Sequence, residues 1–136
     1  MKQYLPNKPK KWGFKLLVLC DITGFAYKFE IYTGATEKFL EAEPDLQPSA
    51  NIVVRLVREV PRFQNYIIYF DNYYTTVPLL VYLRTQGIFG VGTIRRNRIK
   101  NCKLPDEKTM LKFDRGTSME LLVQLEVSVL KRQPYS

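Results

Sequence analysis

Between Tyr66 and Ile94 the chain gives a strand signal, a helix signal and a second strand signal with little room between them. Tyr66-Ile67-Ile68-Tyr69-Phe70 is a β-rich run that stops at Asp71. Thr75 or Thr76 then offers a helix cap, Pro78 falls in the first turn, where its missing N–H costs nothing, and Gly87 supplies the stop. Ile88 to Ile94 reads as a strand again. Two strands joined through a helix lie parallel, because the helix carries the chain back to the end it left. Such a unit buries its apolar surface by layering helices on a sheet, so the expected fold class is α/β.

The N-terminal half makes that sheet a mixed one. Trp12 to Asp21 is almost wholly apolar, as expected for a strand covered on both faces. Asp21-Ile22-Thr23-Gly24 forms a turn, and Phe25 to Tyr32 alternates, with Phe25, Tyr27, Phe29 and Ile31 on one side. These two runs predict a hairpin, which argues against a purely parallel, doubly wound sheet. Residues 33–48 carry Gly34, Pro44, Pro48 and several acids and predict a surface loop. A helix follows, with Ser49 as N-cap, Val53, Leu56, Val57 and Val60 at helical spacing, and Pro61 as its end. Residues 2–11 read as an extended lead-in. Beyond Ile94 a basic and then polar stretch runs to Phe113. Leu121, Val123, Leu125, Val127 and Val129 alternate and predict a strand over 119–130, before a frayed end.

Which chemistry such a fold could carry is narrowed by composition. The 136 residues contain no His, which removes His-based zinc sites and Ser-His or Cys-His nucleophile pairs. Cys20 and Cys102 have neither metal-ligand spacing nor the numbers for a disulfide framework. Carboxylates, hydroxyls and cations remain. No apolar run approaches the roughly 20 residues of a membrane-spanning helix, and no signal-peptide pattern opens the chain, so an intracellular protein with no membrane partner is expected. The net charge of +8 favours polyanionic partners, nucleic acid first among them.

Asp71 is the most informative residue. It follows a buried strand at the edge where open α/β sheets gather their ligands, and a carboxylate there can hold a hard cation such as Mg²⁺. By position alone the commoner role is to turn the chain, since Asp and Asn side chains bond nearby backbone well. Asp21, also at a strand end, is the natural second ligand, although the first residue of a tight hairpin turn is a common place for Asp without further function. Arg95, Arg96, Arg98, Lys100 and Lys103 crowd into nine residues and could neutralise phosphates or form a solvated loop. Lys8, Lys10 and Lys11 form a second cluster beside Tyr4 and Trp12; an aromatic there could stack on a base, although a Trp leading a buried strand is more often a core residue. Tyr73 and Tyr74, just past Asp71, could line a DNA channel.

Four segments occur in a recognisable order: YLPNKPKKWGFKLLVLCD (Tyr4 to Asp21), YFDNYYTTVPL (Tyr69 to Leu79), GVGTIRRNR (Gly90 to Arg98) and RGTS (Arg115 to Ser118). Together they resemble the central catalytic region of piggyBac transposases and the host proteins derived from them, over roughly residues 2–119. The resemblance implies a ribonuclease-H-like mixed sheet with flanking helices. It also implies metal-dependent DNA cleavage and strand transfer, in which three aspartates hold two divalent cations, Mg²⁺ in the intact family. Asp71 matches the second of those aspartates and so becomes the expected catalytic and metal-binding residue. Asp21 matches the family's early hairpin, outside the catalytic set.

Two departures shape what is expected of this chain. The family's first catalytic aspartate lies on a strand upstream of the YLPNKP segment, and the third lies well downstream of RGTS. Neither is matched; Glu120 and Glu126 are candidate stand-ins that no motif places. The expectation is therefore an incomplete fold lacking the first strand and the C-terminal part. Residues 1–119 would form a partial catalytic domain and 120–136 a divergent tail. No tightly held metal and no activity alone are expected. DNA is the expected partner, held by Arg95, Arg96, Arg98, Lys100 and Lys103, with a homodimer and a nuclear location implied by the family. A non-catalytic nucleic-acid-binding module using 95–103 is the alternative.

Overall fold

The structure, a computed structural model, describes residues 2–32 and 42–122. It is a mixed α/β arrangement in which the described strands pair as three two-stranded sheets instead of one continuous sheet. The chain begins with β1 (Gln3–Tyr4) and β2 (Trp12–Gly13), which are antiparallel with Tyr4 opposite Trp12. The expected extended lead-in is thus a hairpin. Pro6 and Pro9 restrict its loop, and Leu5 N–H donates to the Lys11 carbonyl at 2.6 Å. The long apolar run breaks after Gly13 and resumes as β3 (Leu16–Cys20), antiparallel to β4 (Ala26–Ile31) as the alternation required.

Full cover for β3 does not hold. Leu17 is buried, while Leu16 and Val18 are exposed, as are Phe29 and Ile31 opposite them. The cause is that α1 (Pro48–Leu56) covers one face of the hairpin and no described residue covers the other. Helix α1 starts at Pro48, ahead of the expected Ser49 cap. A proline with φ already near the helical value fits the first helical position, and Gln47 before it takes φ 79° without a side-chain cap bond. Asn51 instead secures this end from inside the first turn. Its side-chain oxygen accepts from Leu46 N–H at 2.8 Å and its amide donates to Asp45 at 2.9 Å. A 3₁₀ turn, Val57–Glu59, continues α1 up to the expected Pro61 boundary.

Helix α1 is apolar on two sides and joins the halves of the fold. Ile52 and Leu56 pack with Leu17 of β3, whereas Val53, Val54 and Val57 pack with Leu79, Leu83 and Ile88. Burying each such side chain contributes on the order of 1.5–3 kcal/mol. Arg55 ties the same helix to β4 by a two-pronged pair with Glu30, at 2.9 and 3.2 Å. The β-α-β unit is present as read, though shorter: β5 (Ile67–Phe70), α2 (Val77–Thr85) and β6 (Phe89–Gly92), with β5 and β6 parallel and Phe70 opposite Gly92. Thr76 is the cap, accepting from Leu79 N–H, and Gly87 takes φ 70° after the helix ends. Strand β6 stops before the expected Ile94. The polar stretch beyond it contains a 3₁₀ turn at Arg96–Arg98 and a short helix α3 (Glu107–Met110). Met119–Leu122 has no strand structure, and the remainder of the strand expected over 119–130 lies outside the described residues.

Candidate functional site

Strand β5 delivers Asp71 to the open edge of a cleft of about 260 Å³ between the edges of β3 and β5. Leu17, Val18 and Leu19 form one wall, Ile68 to Asp71 the other, and Val53, Leu56 and Val57 of α1 lie between them. Asp71 is exposed, and its carboxylate accepts no hydrogen bond from any described residue. Its backbone does the turning. The Asp71 carbonyl accepts from Tyr74 N–H at 3.0 Å, Thr75 N–H at 3.3 Å and the Thr75 hydroxyl at 3.0 Å. The carboxylate is therefore left available for something other than the turn.

The turn itself is fixed from below and from the side. Thr75 is fully buried, and a Cβ on Gly92 would lie 2.5 Å from its Oγ1 and 2.7 Å from the Phe70 carbonyl oxygen. Only glycine allows β6 to pass this close. From the side, Arg98 Nη1 donates to the carbonyls of Asn72 at 2.6 Å, Tyr73 at 3.1 Å and Thr75 at 2.9 Å. Arg95 reaches the Asn72 side-chain oxygen at 3.5 Å. Tyr73 and Tyr74 meet edge to face with centroids 5.0 Å apart, and Lys15 Nζ sits 4.1 Å from the Tyr73 ring centre. Burial pushes the Tyr74 hydroxyl pKa up, with Tyr73 and Asp71 adding to the shift, so this ring stays neutral at physiological pH.

The basic segment divides into two groups. Arg98 is committed to the Asp71 turn. Arg96 closes its own loop by donating to the carbonyls of Leu104, Pro105 and Cys102. Arg95, Lys100 and Lys103 are exposed and make no ion pair among the described residues. Asp21 serves its hairpin turn. Its carboxylate accepts from the Thr23 hydroxyl at 2.5 Å, Thr23 N–H at 2.8 Å, Phe25 N–H at 3.1 Å and the Tyr27 hydroxyl at 3.1 Å. The Thr23 hydroxyl bond is the largest influence holding the Asp21 pKa below the ordinary carboxylate value. Among the described residues, no three Cys, Asp or Glu side chains gather where they could share a metal ion.

The profile of the family described as Transposase IS4 matches residues 1–123. The chain belongs to the piggyBac branch of these transposases. The human PiggyBac transposable element-derived protein 2 is 30% identical over 118 residues, which is 85% of this chain and 20% of that protein. The human PiggyBac transposable element-derived protein 3 is 25% identical over the same shares of the two chains. A cryo-EM structure of a piggyBac transposase synaptic complex with hairpin DNA superposes with a TM-score of 0.58 at 29% identity, covering 86% of this chain and 23% of that one. The chain thus spans about one fifth of its relatives' length.

Within this piggyBac-type region, Asp71 and the Arg95–Lys103 segment meet at one turn, although they are more than twenty residues apart in sequence. What the sequence does not disclose is that Arg98 spends its guanidinium on backbone carbonyls, or that Gly92 is needed beside Thr75. The RRNR run gives no sign of which arginines are committed to backbone carbonyls. The Val-Gly-Thr context of Gly92, a glycine inside a strand, is the one available hint of a close backbone approach.

Proposed function

We propose that this chain is a fragment of a piggyBac-type, transposase-derived protein whose ancestral activity was metal-dependent DNA cleavage and strand transfer, and that it is inactive by itself. The observation that carries this reading is Asp71: an exposed carboxylate with no hydrogen-bond partner among the described residues, set beyond a strand at the lip of an interstrand cleft. In the ribonuclease-H-like arrangement we propose for a longer protein, a further strand fills the space between β3 and β5. It would bring a second acid to Asp71 and join the two small sheets. Residues 1–119 would then be the partial catalytic domain, and 120–136 a divergent tail.

A divalent cation fits this site only in part. Asp71 supplies one hard oxygen ligand, whereas two Mg²⁺ ions require several converging carboxylates beyond their water and phosphate oxygens. A metal bound by the full set would stabilise the attacking and leaving oxygens of a phosphodiester. Asp71 would contribute one anchoring carboxylate, held in place by the turn that Thr75 and Arg98 fix. DNA is the proposed partner and the nucleus the proposed place of action. A homodimer is carried over from the family as part of the same proposal.

Assaying the chain and its Asp71→Asn variant for nicking of supercoiled DNA with Mg²⁺ or Mn²⁺ tests this reading. Neither is expected to nick. Metal-dependent nicking that disappears in Asp71→Asn would overturn the proposed inactivity.

A non-catalytic nucleic-acid-binding module is the second reading, favoured by Arg95, Lys100 and Lys103, exposed cations that make no ion pair among the described residues. Each phosphate neutralised steepens the salt dependence of duplex binding by about 0.9 in log–log slope. Replacing the three by Ala is expected to lower that slope by about 3. An unchanged slope would remove these residues from the interface.

A further inference from the structure

Residues 2–20 contain five lysines and no acid, Asp21 being the first carboxylate in the chain. Three of those lysines, Lys8, Lys10 and Lys11, sit in the loop of the β1–β2 hairpin, exposed and without an ion pair among the described residues. At the foot of the same loop, Tyr4 and Trp12 face each other across the strand pair with ring centroids 5.1 Å apart and planes tilted by 54°. Trp12 is 65% exposed and Tyr4 51%. Tryptophan is usually well buried, and the described structure offers Trp12 no core position. Pro6 and Pro9 limit the loop's freedom in the unbound state, so ordering it around a ligand costs less.

We infer that this hairpin is a binding site for single-stranded nucleic acid, with an unpaired base stacking on the Tyr4–Trp12 pair and Lys8, Lys10 and Lys11 taking the adjoining phosphates. Open aromatic faces beside clustered cations match the two things a single strand offers, base faces and a charged backbone. A closed duplex hides its base faces and would leave the rings idle. An acidic peptide would use the lysines but has no flat apolar partner for the rings. The site is separate from the Arg95–Lys103 segment. It rests on the proposed function only in taking nucleic acid as the polyanion.

Trp12 is the chain's single tryptophan, so its emission reports on this site alone. Titrating the full chain with a twelve-nucleotide oligothymidylate is expected to quench that emission saturably, and a blunt duplex of the same length is expected to leave it unchanged. Tyr4→Ala should weaken the quenching affinity about 5-fold or more, the lower end of one lost stacking contact. The triple variant Lys8→Ala, Lys10→Ala, Lys11→Ala should lower the salt slope by about 2, at roughly 0.7 per phosphate on a single strand. Its Lys→Arg counterpart should restore the slope, and circular dichroism should show all variants folded. Replacing Arg95, Lys100 and Lys103 by Ala should leave the quenching affinity within twofold while weakening duplex binding. That arm separates failure of the basic segment from failure of the hairpin. Absence of quenching, quenching by duplex equal to that by single strand, or single-strand binding by anisotropy with Trp12 emission unmoved would each overturn the assignment.

Discussion

Removing the Arg98 guanidinium tests whether the turn carrying Asp71 is held from outside or holds itself. Nη1 has two protons and faces three carbonyls, at 2.6, 2.9 and 3.1 Å, so two bonds are strong and the third is shared. A hydrogen bond to a charged group contributes about 1.5–3 kcal/mol net. The Asn72 and Thr75 contacts are half-buried and the Tyr73 contact is exposed, which sets the lower end for the first two and close to nothing for the third. Some carbonyls rehydrate once the side chain is gone. Arg98→Ala should therefore cost about 2 kcal/mol. At an m-value of about 2 kcal/mol/M, the urea midpoint falls by about 1 M. Arg98→Lys should recover less than half, because its Nζ stands one bond nearer the backbone than Nη1 and falls short of the three carbonyls. Hydrogen exchange at the amides of Tyr74 and Thr75 should accelerate more than at Leu83, which lies in the core. A midpoint within 0.2 M of the parent, with unchanged exchange at 74 and 75, would show that the Asp71 turn does not depend on Arg98.

Gly92→Ala places a methyl 2.5 Å from Thr75 Oγ1 and 2.7 Å from the Phe70 carbonyl, and an overpacked site of this kind typically costs about 1–3 kcal/mol, visible as a lower melting temperature. Thr76→Ala removes the only side-chain cap of α2 and should cost about 1 kcal/mol in urea unfolding, whereas Thr76→Ser should be nearly neutral. Asp21 has a lowered pKa in the fold, so its contribution to stability is present above the unfolded carboxylate value and lost as pH falls through the lower folded value, that is, below about 4. Thr23→Ala should return the Asp21 pKa towards 3.8 in an NMR titration; no movement would mean that the Thr23 hydroxyl is not the cause.

The parts legible in the sequence were those set by local chemistry. The β3–β4 hairpin followed from a turn that needs Gly24 at φ 87° and from clean alternation on its second strand. Helix α2 followed from Thr76, Pro78 and Gly87, each with one clear structural use. Errors arose where distant parts of the chain decide the outcome. An apolar run reads as a doubly covered strand, yet Leu16 and Val18 are exposed because α1 covers one face of the hairpin and no described residue covers the other. Pro48 overrode Ser49 as the helix start because a fixed φ outweighs a good capping side chain one residue later. At the candidate site, Asp71 was visible as an acid after a strand, and its kinship came from motifs. The roles within RRNR were not visible, since whether an arginine meets phosphate or a carbonyl depends on a loop more than twenty residues away.

The most direct measurement is a Mn²⁺ titration of the labelled full chain, following paramagnetic broadening of amide signals at Asp71 and Asn72. If Asp71 is a lone ligand, broadening there should be weak, should not saturate in the micromolar range, and should differ little in Asp71→Asn. Saturable broadening centred on residue 71 at micromolar Mn²⁺, abolished by Asp71→Asn, would mean that this chain assembles a metal site by itself.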